Sequence, residues 1–312
     1  MRRVVVFIFV GVFLSASLMA TGQRDAEEFR YPTRAIEIIA GDPGGDSDLF
    51  PRITAKYLER HWGMPVVVFN QTSAVSAMRI HSATPDGYLV SSMQDAMMIN
   101  MVNGVLDFTL DDLTIVAKYA ETPSQVVTVR TDSGWNTLND FVRASQARPD
   151  TYTLGVALDS NTGVMGHMLL EAGLNVRLVD SSGALRVQML EGGHLDASLS
   201  PWQRIEDYVV AGRWNALAIL EPERSEFSPQ VPTAREQGFD VVYSIHHVFY
   251  MPRGVDPRIV EEWNRALIAI NNIPEYGQEM KDVVRGYARY ANATETRRIL
   301  DGFFPMLRRW LE

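Results

Sequence analysis

The stretch from Ile38 to Asp48, Ile-Ile-Ala-Gly-Asp-Pro-Gly-Gly-Asp-Ser-Asp, constrains the fold of this chain more than any other. A short apolar strand runs into a glycine pair. A helix follows, with Leu49, Phe50, Ile53, Tyr57, Leu58 and Trp62 on one face. Gly63 and Pro65 end it. Pro51 lacks an N–H, which predicts a place in the first helical turn and a helix start near Ser47. The amides of Gly45, Asp46 and Ser47 are then expected to point into a common space, where backbone donors and the helix dipole hold an anion. The same corner also serves as a plain tight turn, which α/β folds use often.

The first residues, Met1-Arg2-Arg3, precede an apolar run from Val4 to Leu14 and small residues up to Ala20-Thr21-Gly22. This is the pattern of a secretory signal peptide over residues 1–22, with cleavage near Ala20 or Gly22 and a periplasmic destination. No cysteine occurs in the 312 residues, so an exported form must rely on core burial rather than disulfides. Its length suggests two domains. Loss of Arg2 and Arg3 with the leader leaves 27 basic residues against the 38 acidic ones. That balance argues against nucleic acid or an anionic membrane surface as a partner.

Beyond the first helix, strands alternate with helices, which favours an α/β fold with largely parallel sheets. Strands are expected at Ala35–Ile39, Pro65–Phe69, Leu89–Ser92 and Gln125–Val129. A helix capped by Thr137 and Asp140 follows, ending near Ala147. A second series has strands at Tyr152–Ala157, Val176–Val179, Asp196–Leu199 and Ala216–Leu220, interleaved with helices at Val164–Ala172, Ala184–Glu191 and Gln203–Ala211. Thr233 and Glu236 cap a short helix closed by Gly238, a strand follows at Val248–Met251, and Asp256-Pro257 opens a helix to Ile270. Thr294 is expected to cap the last helix. Crossings near 122 and 225 divide the chain into two hinged lobes, 30–123 with 231–312 and 124–230. Ligands in such sheets sit at the carboxyl ends of the strands, here between the lobes.

Several motifs occur in order along this frame: Tyr31-Pro32, Pro43-Gly44-Gly45 with Asp48, Val66-Val67-Val68-Phe69-Asn70, Pro85-Asp86-Gly87-Tyr88, Gly163 before His167, and Gly183. Gly192-Gly193-His194-Leu195-Asp196, Ala211-Gly212-Arg213, Pro229-Gln230-Val231-Pro232-Thr233 and Met251-Pro252-Arg253-Gly254 continue the series. The ordered set resembles the extracytoplasmic receptors of tripartite tricarboxylate transporters, the TctC or Bug family. The resemblance implies a two-lobed periplasmic-binding-protein fold of type II character with a hinged central cleft. It implies a non-enzymatic monomer that closes over a small organic acid and delivers it to membrane permease subunits. The ligand-binding positions carried over are Pro43, Gly44, Gly45, Asp46, Ser47 and Asp48 in the first loop, and Thr72, Ser73 and Ala74 in the second. The second lobe supplies Ser160, Asn161, Thr162 and Gly163, then Ser181, Ser182 and Gly183. The chain departs from the family at Ala40 and Gly41, where a proline and an aromatic residue are usual. It departs again at Gln71–Ser76, which has no glycine, at Val164 in place of a hydroxyl residue, and at Ser181-Ser182 in place of a tyrosine.

Asp42, Asp46 and Asp48 oppose an anion unless they face water or a donor. As caps and turn residues they would point outward. Alternatively Asp48 faces an ammonium or hydroxyl of the ligand, which would then be an amino acid or hydroxy acid rather than a plain dicarboxylate. His167 reads as a core histidine rather than a ligand contact. His246 and His247 fall on opposite faces of a strand and make a poor metal pair. Trp202 reads as core or cleft wall. No nucleophile, phosphate-loop or zinc motif occurs, so no cofactor, metal or catalytic residue is expected. Two other functions remain open from sequence: a sensor feeding a membrane signalling partner, and an exported hydrolase.

Overall fold

The computed structural model describes residues 29–41 and 43–311. The expected leader and its cleavage site lie outside the described residues, as does Asp42. The first segment runs β1 (Ile36–Ala40), α1 (Asp46–Trp62), β2 (Val66–Asn70), α2 (Ser73–His81), β3 (Leu89–Gln94), α3 (Ala96–Val102) and β4 (Leu113–Thr122). The middle segment runs β5 (Val126–Arg130), α4 (Leu138–Ala147), β6 (Thr153–Val156), α5 (Asn161–Glu171), β7 (Arg177–Asp180), α6 (Gly183–Glu191), β8 (Ala197–Ser200), α7 (Trp202–Val210) and β9 (Trp214–Ile219). The last comprises β10 (Ile245–Pro252), α8 (Pro257–Asn271), α9 (Pro274–Val284), β11 (Tyr287–Asn292) and α10 (Ala293–Leu311).

The strands form two sheets, ordered β11-β4-β10-β3-β1-β2 and β7-β6-β8-β5-β9. In the first, β1 lies parallel to β2 and β3, while β10 runs antiparallel between β3 and β4. In the second, β6 is parallel to β7 and β8, and β5 is antiparallel to β8 and β9. Register shows where the carboxyl ends meet. Thr122, the last residue of β4, pairs with Ile245, the first of β10. Val126, which starts β5, pairs with Ser200 and Ile219, the last residues of β8 and β9. Both carboxyl edges therefore border the crossings at 123–125 and 220–244, the position that α/β sheets reserve for ligands.

A continuous buried cluster runs through both sheets, from Met93, Met97 and Ile99 to Val127, Leu154 and Leu199. The Thr137/Asp140 capping box is present at α4, and the Asp256 carboxylate caps α8 with Pro257 as its first residue. Four features differ from the sequence reading. The sheets are mixed rather than largely parallel, because the crossing strands β4, β5 and β10 and the edge strands β9 and β11 pair antiparallel. Pro51 is the sixth residue of α1 rather than part of its first turn. Its missing N–H leaves the Ser47 carbonyl free, and the Gly41 amide fills it at 3.0 Å, which pins the loop to the helix. The last helix is capped by Asn292, which accepts the Glu295 amide, so Thr294 falls inside it. The elements β4, α3, α9 and β11 had no sequence signal strong enough to place them.

Candidate ligand-binding site

The first loop is organised by its acids. Asp48 is 5% exposed, and both its oxygens are taken by the protein. Oδ2 accepts the Gly44 amide at 2.9 Å; Oδ1 accepts Arg52 Nε at 2.7 Å and Asn70 Nδ2 at 2.6 Å. Asn70 Nδ2 also donates to the Gly41 carbonyl. Burial alone would raise the Asp48 pKa, but these donors and the Arg52 charge hold it below the usual carboxylate range. Asp48 thus does not point outward; it ties the two loops of the first sheet together. Gly44 sits at φ +77°, the left-handed region that glycine enters without strain, whereas Gly45 is extended at φ −87°.

Asp46 is satisfied as well. Its Oδ1 takes the Ser47 amide, so that amide is not open to an anion. Its Oδ2 accepts Thr122 Oγ1 at 2.7 Å and Gln94 Nε2 at 3.1 Å. Thr122 in turn lies 2.7 Å from His247 Nε2, a fully buried imidazole packed on Phe50. Burial opposes ionisation of Asp46, but His247, Thr122 and the Ser47 amide outweigh it and hold the pKa at about 2. His246 turns the other way, to Asp95 at 3.3 Å and Glu121 at 3.8 Å. The expected opposition of the two histidines holds, and each has its own protein partner.

Beside these acids lies a cavity of about 160 Å³ lined by Gly41, Ser47, Ser73, Ser76, Ser92, Met93 and Gln94. Ser73 is the first residue of α2, whose N-cap, Thr72, gives no side-chain hydrogen bond. The helix therefore has no side-chain cap at its amino end beside this cavity; the Ser92 hydroxyl meets Tyr119 and the Ser76 hydroxyl the Gln71 carbonyl, which leaves Ser47 and Ser73 as the hydroxyls suited to a carboxylate oxygen. Of the expected first-lobe positions, Ser47 and Ser73 line this cavity. Pro43, Gly44, Gly45, Asp46, Asp48, Thr72 and Ala74 do not line it. Ser92, Met93 and Gln94 were missed, although they end β3 at the edge where ligands bind.

In the second lobe, the expected residues mostly hold their own loop. Ser160 Oγ accepts the Thr162 amide as the N-cap of α5, and Thr162 Oγ1 accepts the Ala157 amide at 2.8 Å. Asn161 Oδ1 accepts the Tyr243 hydroxyl, which links α5 to the returning crossing. Gly163 is required by space: a Cβ there would lie 2.4 Å from the Leu158 carbonyl oxygen and 2.8 Å from that of Ala157. Because those atoms are backbone, Gly163→Ala should destabilise the protein by about 1–3 kcal/mol. A melting curve checks this; an unchanged transition would show that the loop relaxes freely. His167 lies near-parallel to Trp310, 6.2 Å between ring centroids, and is only half-buried, not the core histidine expected, because its helix face meets α10 at the surface.

The crossings carry a further set of buried charges. Glu121 is paired with Lys118 and, at 2.8 Å, with Arg289. Glu221 accepts the Ser124 amide at 2.7 Å, joining the two crossings. Burial raises its pKa to about 7 despite that bond and Arg289, with Glu121 adding to the rise. Among the described residues, no group of three or more His, Cys, Asp and Glu is placed to hold a metal.

Strand order, pairing and the position of the cavity define a two-lobed periplasmic-binding-protein fold. Residues 50–301 match the tripartite tricarboxylate transporter family receptor, TctC, and the chain belongs to that family of periplasmic solute-binding receptors. Protein BugT of Bordetella pertussis is 29% identical over 276 residues, covering 82% of this chain and 81% of that protein. A TctC solute binding protein from Polaromonas, crystallised without ligand, matches with a TM-score of 0.78 at 21% identity, over 90% of this chain and 99% of its own. MatC from Rhodopseudomonas palustris, solved with bound malate, matches with a TM-score of 0.72 at 20% identity, over 90% and 100% of the two chains.

Proposed function

We propose that this chain is an exported, monomeric receptor that captures a small organic acid between its lobes and delivers it to membrane permease subunits, with no chemistry of its own. Residues 30–123 and 231–312 form one lobe and 124–230 the other, and the leader directs the chain to the periplasm. The observation that carries this reading is the uncapped amino end of α2 opening into the serine-lined cavity at the carboxyl edge of the first sheet. The acids of the first loop do not oppose an anion there, because protein donors already surround Asp46 and Asp48. An ammonium-bearing ligand is therefore not required, and plain carboxylates are the expected class. The malate bound to MatC is in keeping with a carboxylate ligand and, as a hydroxy acid, fits the hydroxy-acid class as well.

Calorimetric titration with carboxylates, amino acids and neutral solutes tests the ligand, and small-angle scattering tests closure. Saturable binding of carboxylates with a smaller radius of gyration is expected. Failure of every carboxylate to bind, or binding of neutral solutes alone, would overturn the reading.

A further inference from the structure

The two halves of α10 are held by different parts of the chain. The amino half is fixed to the first sheet: the buried Thr296 hydroxyl accepts the Lys118 amide of β4 at 2.9 Å, and Leu300 is fully buried in the core. Arg297 adds an ion pair to Asp111, just before β4, at 2.6 Å. The carboxyl half is tied to the proposed second lobe. Glu171, the last residue of α5, accepts Trp310 Nε1 and Arg309 Nε, each at 2.8 Å. The His167 ring, one turn earlier on α5, lies against the same indole.

Between these anchors the helix is weakened twice. Pro305, inside α10, has no N–H and leaves the Asp301 carbonyl without its helical partner, which is where helices bend. Gly302, just before it, adds backbone freedom. No atom lies within 4 Å of where a Gly302 Cβ would stand, so packing does not demand a glycine there. The carboxyl half also has room to move. A cavity of about 590 Å³ separates it from α5, with Met168 and Ala172 on one side and Gly302, Pro305 and Met306 on the other. A second, of about 310 Å³, lies between Phe304 and Arg308, on the opposite face of the helix, and Met101 and Phe108 of the first segment. Methionines on these walls repack readily as the gap changes.

We propose that α10 is a strap that regulates lobe closure: its amino half stays with the first sheet, its carboxyl half travels with α5, and the bend at Gly302–Pro305 sets how easily the lobes come together. This rests on the receptor reading above and deepens it, since residues that touch no ligand then tune the affinity for every ligand. Bending the strap opposes closure, so a stiffer strap weakens capture and a detached one removes the opposition. A helix that merely covers the core would leave affinity independent of its stiffness.

The test stiffens the strap with Gly302→Ala and Pro305→Ala together. The melting temperature should hold or rise, because both native residues are poor helix formers. Every carboxylate that the wild type binds should nonetheless weaken by about threefold or more, with the ranking unchanged. Glu171→Ala, added to the stiffened chain, frees the carboxyl half from α5 and should return affinity toward that of the wild type. Calorimetric titration and melting curves on the same samples read both effects. The chain has no cysteine, so Val210→Cys on α7 and Ile268→Cys on α8, both exposed, accept one spin label on each lobe. Without ligand, the distance between the labels should be broadly spread in the otherwise native chain and narrower in the stiffened one. Unchanged or tighter binding in the stiffened chain, or a distance spread that the two substitutions leave alone, would overturn the strap while the receptor reading stands. Failure of every carboxylate to bind the wild type would instead sink the receptor reading, and the label distances would still decide the strap.

Discussion

Asp48→Ala should lower the melting temperature by several degrees and weaken every carboxylate about tenfold or more, without changing their ranking. The carboxylate accepts from Gly44, Asn70 and Arg52 at once, so its removal strands a backbone amide and frees Asn70 from one of its two acceptors. Hydrogen bonds to a charged group contribute about 1.5–3 kcal/mol each, and Arg52, partly exposed, recovers some of its share from water. A net loss of roughly 3 kcal/mol is expected, and near this size of protein each kcal/mol moves the transition by about 2–4 °C. Affinity falls because Gly41 and Ser47, two walls of the cavity, are positioned through that network. Asp48→Asn should lie between, since its amide keeps one acceptor for Gly44. Unfolding curves and titration on the same samples check both effects. A variant that melts like the wild type yet gains affinity for dicarboxylates over amino acids would return Asp48 to the ligand.

The same residue shows where sequence reasoning runs out. Its position in a glycine loop was legible, because strand, glycine and amphipathic helix are local patterns. Its partners were not, because Arg52 is a turn away along the helix and Asn70 arrives from another strand. The two strand–helix series were readable for a similar reason: β6, β7 and β8 each fall between clear glycine or proline stops. By contrast β4, Leu-Thr-Ile-Val-Ala-Lys-Tyr-Ala-Glu-Thr, hides its burial behind Lys118 and Glu121, two charges that neutralise each other, Glu121 also meeting Arg289. Edge strand β11, Tyr-Ala-Arg-Tyr-Ala-Asn, has little apolar content and exists because it pairs with β4. The cavity was half legible. Ser47 and Ser73 follow from loop position, but Ser92 and Gln94 look like ordinary strand residues until the sheet order brings the end of β3 beside β1.

Glu221→Gln should flatten the loss of stability that the wild type shows as pH rises from about 5 to about 8. Glu221 holds its proton up to about 7 in the folded chain, against an ordinary value of 4.5 when unfolded. Between those values the folded state binds more protons than the unfolded one, so stability falls with rising pH. The contribution is fully present below the unfolded value and is lost as pH passes through about 7, amounting to roughly 3 kcal/mol at most. Arg289 and Glu121 face the group with opposite effects, and the Ser124 amide bonds to it, an acceptor role that the glutamine carbonyl can keep. The window is separate from that of Asp46, whose folded pKa of about 2 lies below its ordinary 3.8 and whose contribution is lost only as pH falls through that range. Melting temperatures of wild type and variant, measured at several pH values across the window, should diverge upward in favour of Glu221→Gln. Parallel curves would mean that Glu221 ionises freely in the folded protein, with water or Arg289 compensating its burial between the crossings.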